Sequence, residues 1–306
     1  TNAFGAILGA ISIIIFSVGS LNENVLFFEQ YTKLMSLPSD LQQIADPRQI
    51  TDINTGIELK NVSFRYGENH PWVLHNVSLK IPKGECVAIV GLNGAGKTTL
   101  VKLLARLYDP IEGEILWDGV DIREFDVDDL RRKIGIIFQD FARYDLTVKE
   151  NISFGDVDNI QDWNRIHEAA RAVDIHSFIE KLPQGYQTIL SRWLVEEGTG
   201  TDISGGQWQK VATARMFMRD ASFLILDEPT AALDPEAEHK IYSDFTNLAK
   251  DRTTLIISHR FSTVRIADTI AVLDNGELIE YGSHGQLMLQ NGKYANMYTM
   301  QSSNYI

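Results

Sequence analysis

The chain has 306 residues, 44% hydrophobic and 23% charged, with a formal net charge of −13. Such an acidic surplus argues against sequence-independent nucleic-acid binding, which needs clustered Lys and Arg against phosphates. The single cysteine, Cys86, excludes an intrachain disulfide and fits a reducing, cytosolic setting.

Residues 4–18 read FGAILGAISIIIFSV, without a charge. That is about 15 residues, short of the ~20 needed to span a bilayer. A signal peptide would carry Lys or Arg ahead of the run, and none is there. The segment is expected to be the end of a transmembrane helix; a buried or partner-packed helix is the alternative. Residues 21–37 keep helical spacing, with Val25, Phe28, Leu34 and Met35 near one face, and can continue that helix out of the membrane. Pro38 should end it, and residues 38–55, with Pro47, read as a polar linker.

From Gly56 the pattern changes. Residues 57–64 (IELKNVSF) alternate as a strand does, and 73–81 do so in part. Residues 86–90 (CVAIV) form a short continuous apolar run, as in a buried parallel strand. A glycine-rich turn and a helical segment over 97–107 follow. Further buried strands are expected at 134–138, 223–226, 254–257 and 269–273, separated by helical patterns. The alternation indicates an α/β domain with a parallel sheet. Residues 147–182 read as mostly helical, which suggests an inserted helical subdomain, and 285–300 as one or two helices.

Residues 91–99 (GLNGAGKTT) match G-x-x-x-x-G-K-[ST] between a predicted strand and a predicted helix, the context that gives the motif meaning. Gly91, Gly94 and Gly96 let backbone N–H groups turn onto phosphates, and the helix N-terminus adds partial positive charge. Lys97 should reach the β- and γ-phosphates, and the Thr98 hydroxyl should ligate Mg²⁺. Asn93 and Thr99 belong to the same nucleotide-binding stretch. The loop alone leaves kinases, GTPases and motor ATPases open.

Residues 223–228 (FLILDE) form an apolar strand ending in two carboxylates, and open α/β sheets bind ligands at such strand ends. Asp227 is suited to hold Mg²⁺, and Glu228 to polarise an attacking water. About twenty residues earlier, Ser204-Gly205-Gly206-Gln207 opens a helix. Ser204 can serve as an N-cap, and the glycines can leave a phosphate-accessible helix start. The residues by themselves do not choose between the two.

Taken together, the phosphate loop, Gln139 after a strand, SGGQ, the strand ending Asp-Glu and His259 after a further strand resemble the nucleotide-binding domain of an ATP-binding cassette (ABC) transporter over roughly residues 57–300. The resemblance implies a P-loop NTPase (RecA-like) core with an antiparallel β subdomain and an inserted α-helical subdomain at about 141–204. It further implies that Tyr66 stacks on adenine, and that Gln139 ligates Mg²⁺ and water and senses the membrane domain. Ser204, Gly205, Gly206 and Gln207 would bind the γ-phosphate held by an opposite subunit. Asp234, in the loop Ala232-Leu233-Asp234, would cross the dimer interface, and His259 would contact the γ-phosphate. The catalytic set implied is Glu228, His259, Gln139 and Lys97; the metal set is Thr98, Gln139 and Asp227. The cofactors that the resemblance implies are ATP and Mg²⁺. The partners that it implies are a second copy or a related half-transporter in a head-to-tail ATP sandwich, the transmembrane domain of the same polypeptide and an exported substrate.

The apolar run ahead of a single cassette suggests the exporter layout, at the cell membrane with the ATPase on the cytoplasmic side. Residues 147–152 (TVKENI) resemble the T-V-x-E-N-I stretch of exporters, whereas the familiar E-R-G before the signature is replaced by 196–200 (EEGTG). Residues 138–144 (FQDFARY) and Trp208-Gln209-Lys210 are similar to exporters of lantibiotics and related peptides. Peptide export is the first expectation, and a small-molecule, multidrug or lipid exporter the alternative. A translation or repair ATPase of the same family would carry two cassettes or a long coiled-coil insertion, and neither appears.

Overall fold

The computed structural model describes residues 2–37, 41, 44–192, 200–227, 252–258 and 264–303. The chain divides into two compact units, Thr1–Gln42 and Gln43–Ile306.

The first unit is one helix, α1 (Asn2–Met35), of 34 residues. At 1.5 Å per residue it is about 51 Å long. The apolar run and the amphipathic stretch behind it are therefore continuous, since no Gly-Pro break separates them. By length and composition Ala3–Met35 suffices to cross a membrane. Its large apolar side chains, Phe4, Phe16 and Phe27 among them, stand exposed.

The second unit is built on two sheets. An antiparallel sheet has the order β2-β1-β4-β5, from β1 (Gly56–Phe64), β2 (Leu74–Pro82), β4 (Glu112–Trp117) and β5 (Val120–Asp121). The second sheet has the order β10-β9-β3-β8-β7-β6. It comprises β3 (Cys86–Val90), β6 (Ile134–Ile137), β7 (Phe223–Asp227), β8 (Thr253–Ile257), β9 (Thr269–Asp274) and β10 (Glu277–Gly282). Strands β9, β3, β8, β7 and β6 run parallel, and β10 pairs antiparallel at the edge. The parallel strands are apolar without alternation because both faces are covered. One main core joins the sheets through Leu59, Ile81, Ile89, Leu103, Trp117 and Phe223.

The strands expected from the sequence form within a residue or so, but β4, β5 and β10 are additions. Two hairpins create them. Asp118 and Gly119 (φ 51° and 83°) turn β4 into β5, and Asn275 and Gly276 (φ 48° and 82°) turn β9 into β10. Both central residues at positive φ are what a two-residue type I′ turn requires. The helix expected over 97–107 is shorter, α2 (Lys97–Leu104). It ends because Arg106 takes a left-handed φ of 48°. The Arg106 guanidinium is then buried and donates to the carbonyls of Ile122 and Phe125, at 3.0 and 2.9 Å. A short helix, α3 (Val127–Arg132), precedes β6.

Residues 48–55 are packed into this unit. Ile50 and Ile53 enter its core, and the Asp118 carboxylate accepts the N–H groups of Asn54, Thr55 and Gly56 at 2.7–3.0 Å.

Between β6 and β7 the chain inserts a helical layer of α4 (Val148–Ser153), α5 (Trp163–Ala172), α6 (His176–Ile179) and α7 (Gly205–Met218). It has its own apolar cluster, including Ile152, Ile166, Ile179, Trp208 and Val211. Two helices close the described chain, α8 (His284–Gln290) and α9 (Lys293–Ser303).

Candidate functional site at the carboxyl edge of the sheet

Strand β3 delivers the chain into the glycine loop, and three glycines there answer to three constraints. A Cβ on Gly91 would collide with the Leu273 carbonyl oxygen. Gly94 sits at φ 82°. Gly96 sits at φ 102°, and a Cβ on it would lie 2.8 Å from the Val73 carbonyl oxygen. Gly96 is also the N-cap of α2, which makes no side-chain capping hydrogen bond. The donors of the first helical turn are thus not taken up by a cap, the arrangement that suits an anion.

Lys97 is buried, and its ammonium donates to the carbonyls of Gly91 and Leu92 at 2.9 and 3.1 Å, folded over the loop it belongs to. Thr98 is exposed at the helix start, whereas Thr99 is buried. The Thr99 hydroxyl is 3.1 Å from the Tyr66 hydroxyl, which brings the end of the first strand beside α2. Tyr66 is half-exposed.

The parallel register places the other sequence-derived residues beside this loop. Ile89 of β3 faces Ile257 of β8, and Ile257 faces Asp227 of β7, so the three strand ends finish level. Neighbouring strands are ~4.8 Å apart, which puts the end of β7 about 10 Å from that of β3. Asp227 is only 2% exposed, at the end of a strand buried throughout. Gln139 lies one strand further, two residues past β6, and is exposed. A hydroxyl, a buried carboxylate and an amide oxygen are hard donors of the kind Mg²⁺ takes, so Thr98, Asp227 and Gln139 fit that ion chemically.

Ser204 caps α7 through a reciprocal capping box. Gln207 N–H donates to the Ser204 hydroxyl at 3.3 Å, and Ser204 N–H donates to the Gln207 side chain at 2.8 Å. Gly205 is exposed, and a Cβ on it would meet nothing within 4 Å. Gly206 follows in the same first turn. Glu228, Asp234 and His259 lie outside the described residues, as does most of the segment standing in place of E-R-G.

The sequence reading passed over Arg215. Its guanidinium, on α7, donates to the Ala142 carbonyl (3.0 Å) and to the carbonyl and side-chain oxygens of Asn151 (2.8 and 3.1 Å). It also lies 4.8 Å from the Tyr144 ring centre. It ties the signature helix to the loop after Gln139. Burial holds it below its ordinary pKa. A cavity of about 260 Å³ opens beside it, lined by Leu107, Arg131, Phe138, Phe154 and Arg219. A helix arginine carries no sequence signal for such a role, because its carbonyl partners come from separate segments. Burial and, secondarily, the Asp268 carboxylate push the Cys86 thiol up to about 12.

A parallel sheet whose central strand opens into this loop, with a buried carboxylate on a neighbouring strand end, defines a P-loop nucleotide-binding domain. The sequence profile of the ABC transporter family matches residues 74–231. This chain belongs to the ABC transporter family. The putative multidrug export ATP-binding/permease protein YgaD of Bacillus subtilis is 43% identical over 252 residues, 82% of this chain and 42% of that protein. The ATP-dependent lipid A-core flippase of Chromohalobacter salexigens is 42% identical over 249 residues, 81% and 42% of the two chains. The subtilin transport ATP-binding protein SpaT of Bacillus subtilis is 38% identical over 290 residues, 95% and 46% of the two. The solved structure of a bacterial Atm1-family ABC exporter with ATP bound superposes with a TM-score of 0.82 at 36% identity, covering 92% of this chain and 47% of that one. The chain thus spans under half the length of these relatives.

Proposed function

We propose that this chain is the energy-converting part of an ABC half-transporter that hydrolyses MgATP to drive efflux across the cytoplasmic membrane. In this reading residues 1–37 are the end of the last transmembrane helix and its cytoplasmic extension, 38–55 a linker whose end, through Ile50 and Ile53, packs into the ATP-binding domain, and 56–306 that domain. The observation that carries it is the row of strand ends that brings the loop 91–98, Asp227 and Gln139 to one edge.

Lys97 leaves its loop carbonyls for the β- and γ-phosphates, and the amides of Asn93, Gly94, Gly96 and Thr98 turn onto phosphate oxygens. Thr98, Asp227 and Gln139 hold Mg²⁺, which when bound neutralises phosphate charge. Glu228 orients the attacking water, and His259 contacts the γ-phosphate. Ser204, Gly205, Gly206 and Gln207, with Asp234, serve the site of a second copy or of a related half. Catalysis is then positioning and charge stabilisation around an in-line attack.

For the cargo we infer a lantibiotic-like or bacteriocin-like peptide. The motif detail at residues 138–144 and 208–210 supports this, as does a relative named for subtilin transport that aligns over 95% of the chain. A multidrug or lipid cargo is the second reading, favoured by the higher identity to relatives named for those roles.

The test is MgATP hydrolysis against protein concentration, for wild type and Glu228→Gln. A shared site gives a specific activity that rises with concentration, and a variant that binds ATP, dimerises and does not turn over. A variant as active as wild type would remove Glu228 from the chemistry.

A further inference from the structure

The helical layer holds a cluster of rings that the nucleotide site does not use. Tyr186 stands in the single turn Gly185–Gln187 after α6 and is buried. Its hydroxyl is 2.8 Å from His176 Nδ1 on α6. The His167 ring, on α5, lies 4.7 Å from the Tyr186 ring and 5.5 Å from that of His176. Trp163, one turn earlier on α5, meets Tyr186 edgewise at 6.0 Å and 85°, and lies 5.6 Å from His167. The charged groups around them are Arg171 of α5, Glu180 at the end of α6 and Lys149 of α4. The Glu180 carboxylate is 3.4 Å from His176 Nε2, and the Lys149 ammonium sits 5.1 Å over Trp163. The chain after Tyr186 leads towards Ser204. Leu190 N–H donates to the Leu146 carbonyl (2.9 Å), Val148 N–H to that of Thr188 (3.0 Å), and Thr201 N–H to that of Ile189 (3.0 Å). Residues 188–190 are thereby held between the start of α4 and the residues just before Ser204.

We propose that Tyr186 and His176 are positioning residues for Ser204–Gln207, and that His167 makes their hold acid-sensitive: its protonation releases Tyr186, loosens residues 188–190 and slows hydrolysis. This rests on the reading that Ser204–Gln207 serve a nucleotide bound by a second copy. A neutral His176 can accept the phenol hydrogen at Nδ1, which fixes the turn that starts the segment. Burial pushes the Tyr186 phenol up to about 12, so it stays a donor throughout. His167 is packed among three rings, where an imidazolium is poorly hydrated and faces the Arg171 guanidinium. Burial first, then His176 and Arg171, hold its pKa below the ordinary value, against an opposing pull from Glu180. Hydrating a charged His167 means separating it from Tyr186, so folding favours the neutral ring. That contribution is fully present above the unfolded value, near ~6.5, and is lost as pH falls through the folded one. The anchor therefore holds above about pH 7 and gives way in mild acid.

The experiment follows amide hydrogen exchange and MgATP hydrolysis by the full chain from about pH 8 to about pH 5.5, with exchange corrected for its intrinsic pH dependence. Wild type should lose about tenfold of its protection at Leu190 and Thr201 over that range, whereas His167→Phe and His167→Gln should lose none. Hydrolysis by these two variants should match wild type at about pH 8 and exceed it about fivefold at about pH 5.5. Tyr186→Phe should lower hydrolysis about 3- to 10-fold at every pH, the range of a single hydrogen bond. It should leave binding of a fluorescent ATP analogue unchanged, which a general folding defect would not. His176→Asn places an amide oxygen near the Nδ1 position and should keep the activity that His176→Leu loses. An equal loss of protection in wild type and both His167 variants, or unchanged hydrolysis in Tyr186→Phe, would overturn the proposal. Full hydrolysis by Ser204→Ala, with the exchange differences intact, would instead remove the reading that Ser204–Gln207 serve a nucleotide.

Discussion

Two glycine-marked helix starts in this chain look alike in sequence and differ in structure. At the start of α2 the glycines answer to the chain itself: Gly96 has a left-handed backbone against the Val73 carbonyl, and no side chain caps the helix. At the start of α7, Ser204 and Gln207 close a capping box, and Gly205 borders open space. A third start, that of α8, has the same Ser-x-x-Gln box from Ser283 and Gln286. The capping chemistry of α7 is therefore ordinary, and so is its open glycine, since a Cβ on Gly285 in the first turn of α8 would likewise meet nothing within 4 Å.

The largest effect that would break this comparison belongs to Gly96. Gly96→Ala places a Cβ against backbone at a φ of 102°, which should cost about 3 kcal/mol of stability. It should also abolish binding of a fluorescent ATP analogue. Chemical denaturation and a binding titration read both, and a variant that binds normally would remove the steric argument for the loop.

The caps come next. Ser204→Ala and Ser283→Ala should each lose about 1 kcal/mol. Only Ser204→Ala should lower hydrolysis, by tenfold or more, since only α7 is proposed to face a nucleotide. Equal activities in the two variants would reduce Ser204 to a cap.

Gly205→Ala sharpens the contrast most directly. Its stability should be unchanged or up to ~1 kcal/mol higher, because alanine is the better helix former and space is open. Nucleotide binding by the isolated chain should persist while concentration-dependent hydrolysis falls. A thermal melt beside the ATPase titration decides, and full activity would leave Gly205 without a partner.

The smallest effect is electrostatic. Burial alone would raise the Asp118 carboxyl, but the N–H groups of Gly56, Thr55 and Asn54 outweigh it and hold the group below the ordinary carboxylate range. A pKa depressed by folding contributes stability above the unfolded value, near ~3.9, which is lost as pH falls through the folded one. Asp118→Asn should flatten the acid limb of the stability profile below about pH 4, read by denaturant melts across pH.

Much of this was legible in the sequence, for specific reasons. Strands β3, β7 and β8 are short unbroken apolar runs because a parallel sheet covers them on both faces. The phosphate loop could be placed because its strand and helix flank it. Strands β4 and β10 were not read, since Glu112-Gly113-Glu114 opens the first and the second is a half-exposed edge. Their signal was present in the turns, Asp118-Gly119 and Asn275-Gly276. The segment 48–55 reads as polar because only Ile50 and Ile53 of it enter the core. The Tyr66–Thr99 pair and the hold of Arg215 on the glutamine loop join segments distant in the chain, and local patterns do not encode such joins.

The sequence by itself therefore determined the family chemistry, namely a phosphate-binding loop, a strand ending in carboxylates and a serine-capped helix. Each of these is a local matter of backbone freedom, hydrogen-bond donors and apolar runs. Only the tertiary structure decided that Lys97, Asp227 and Gln139 share one edge. That depends on the strand order β3-β8-β7-β6, which is set by how sheet and helices bury their common surface and not by the spacing of residues along the chain.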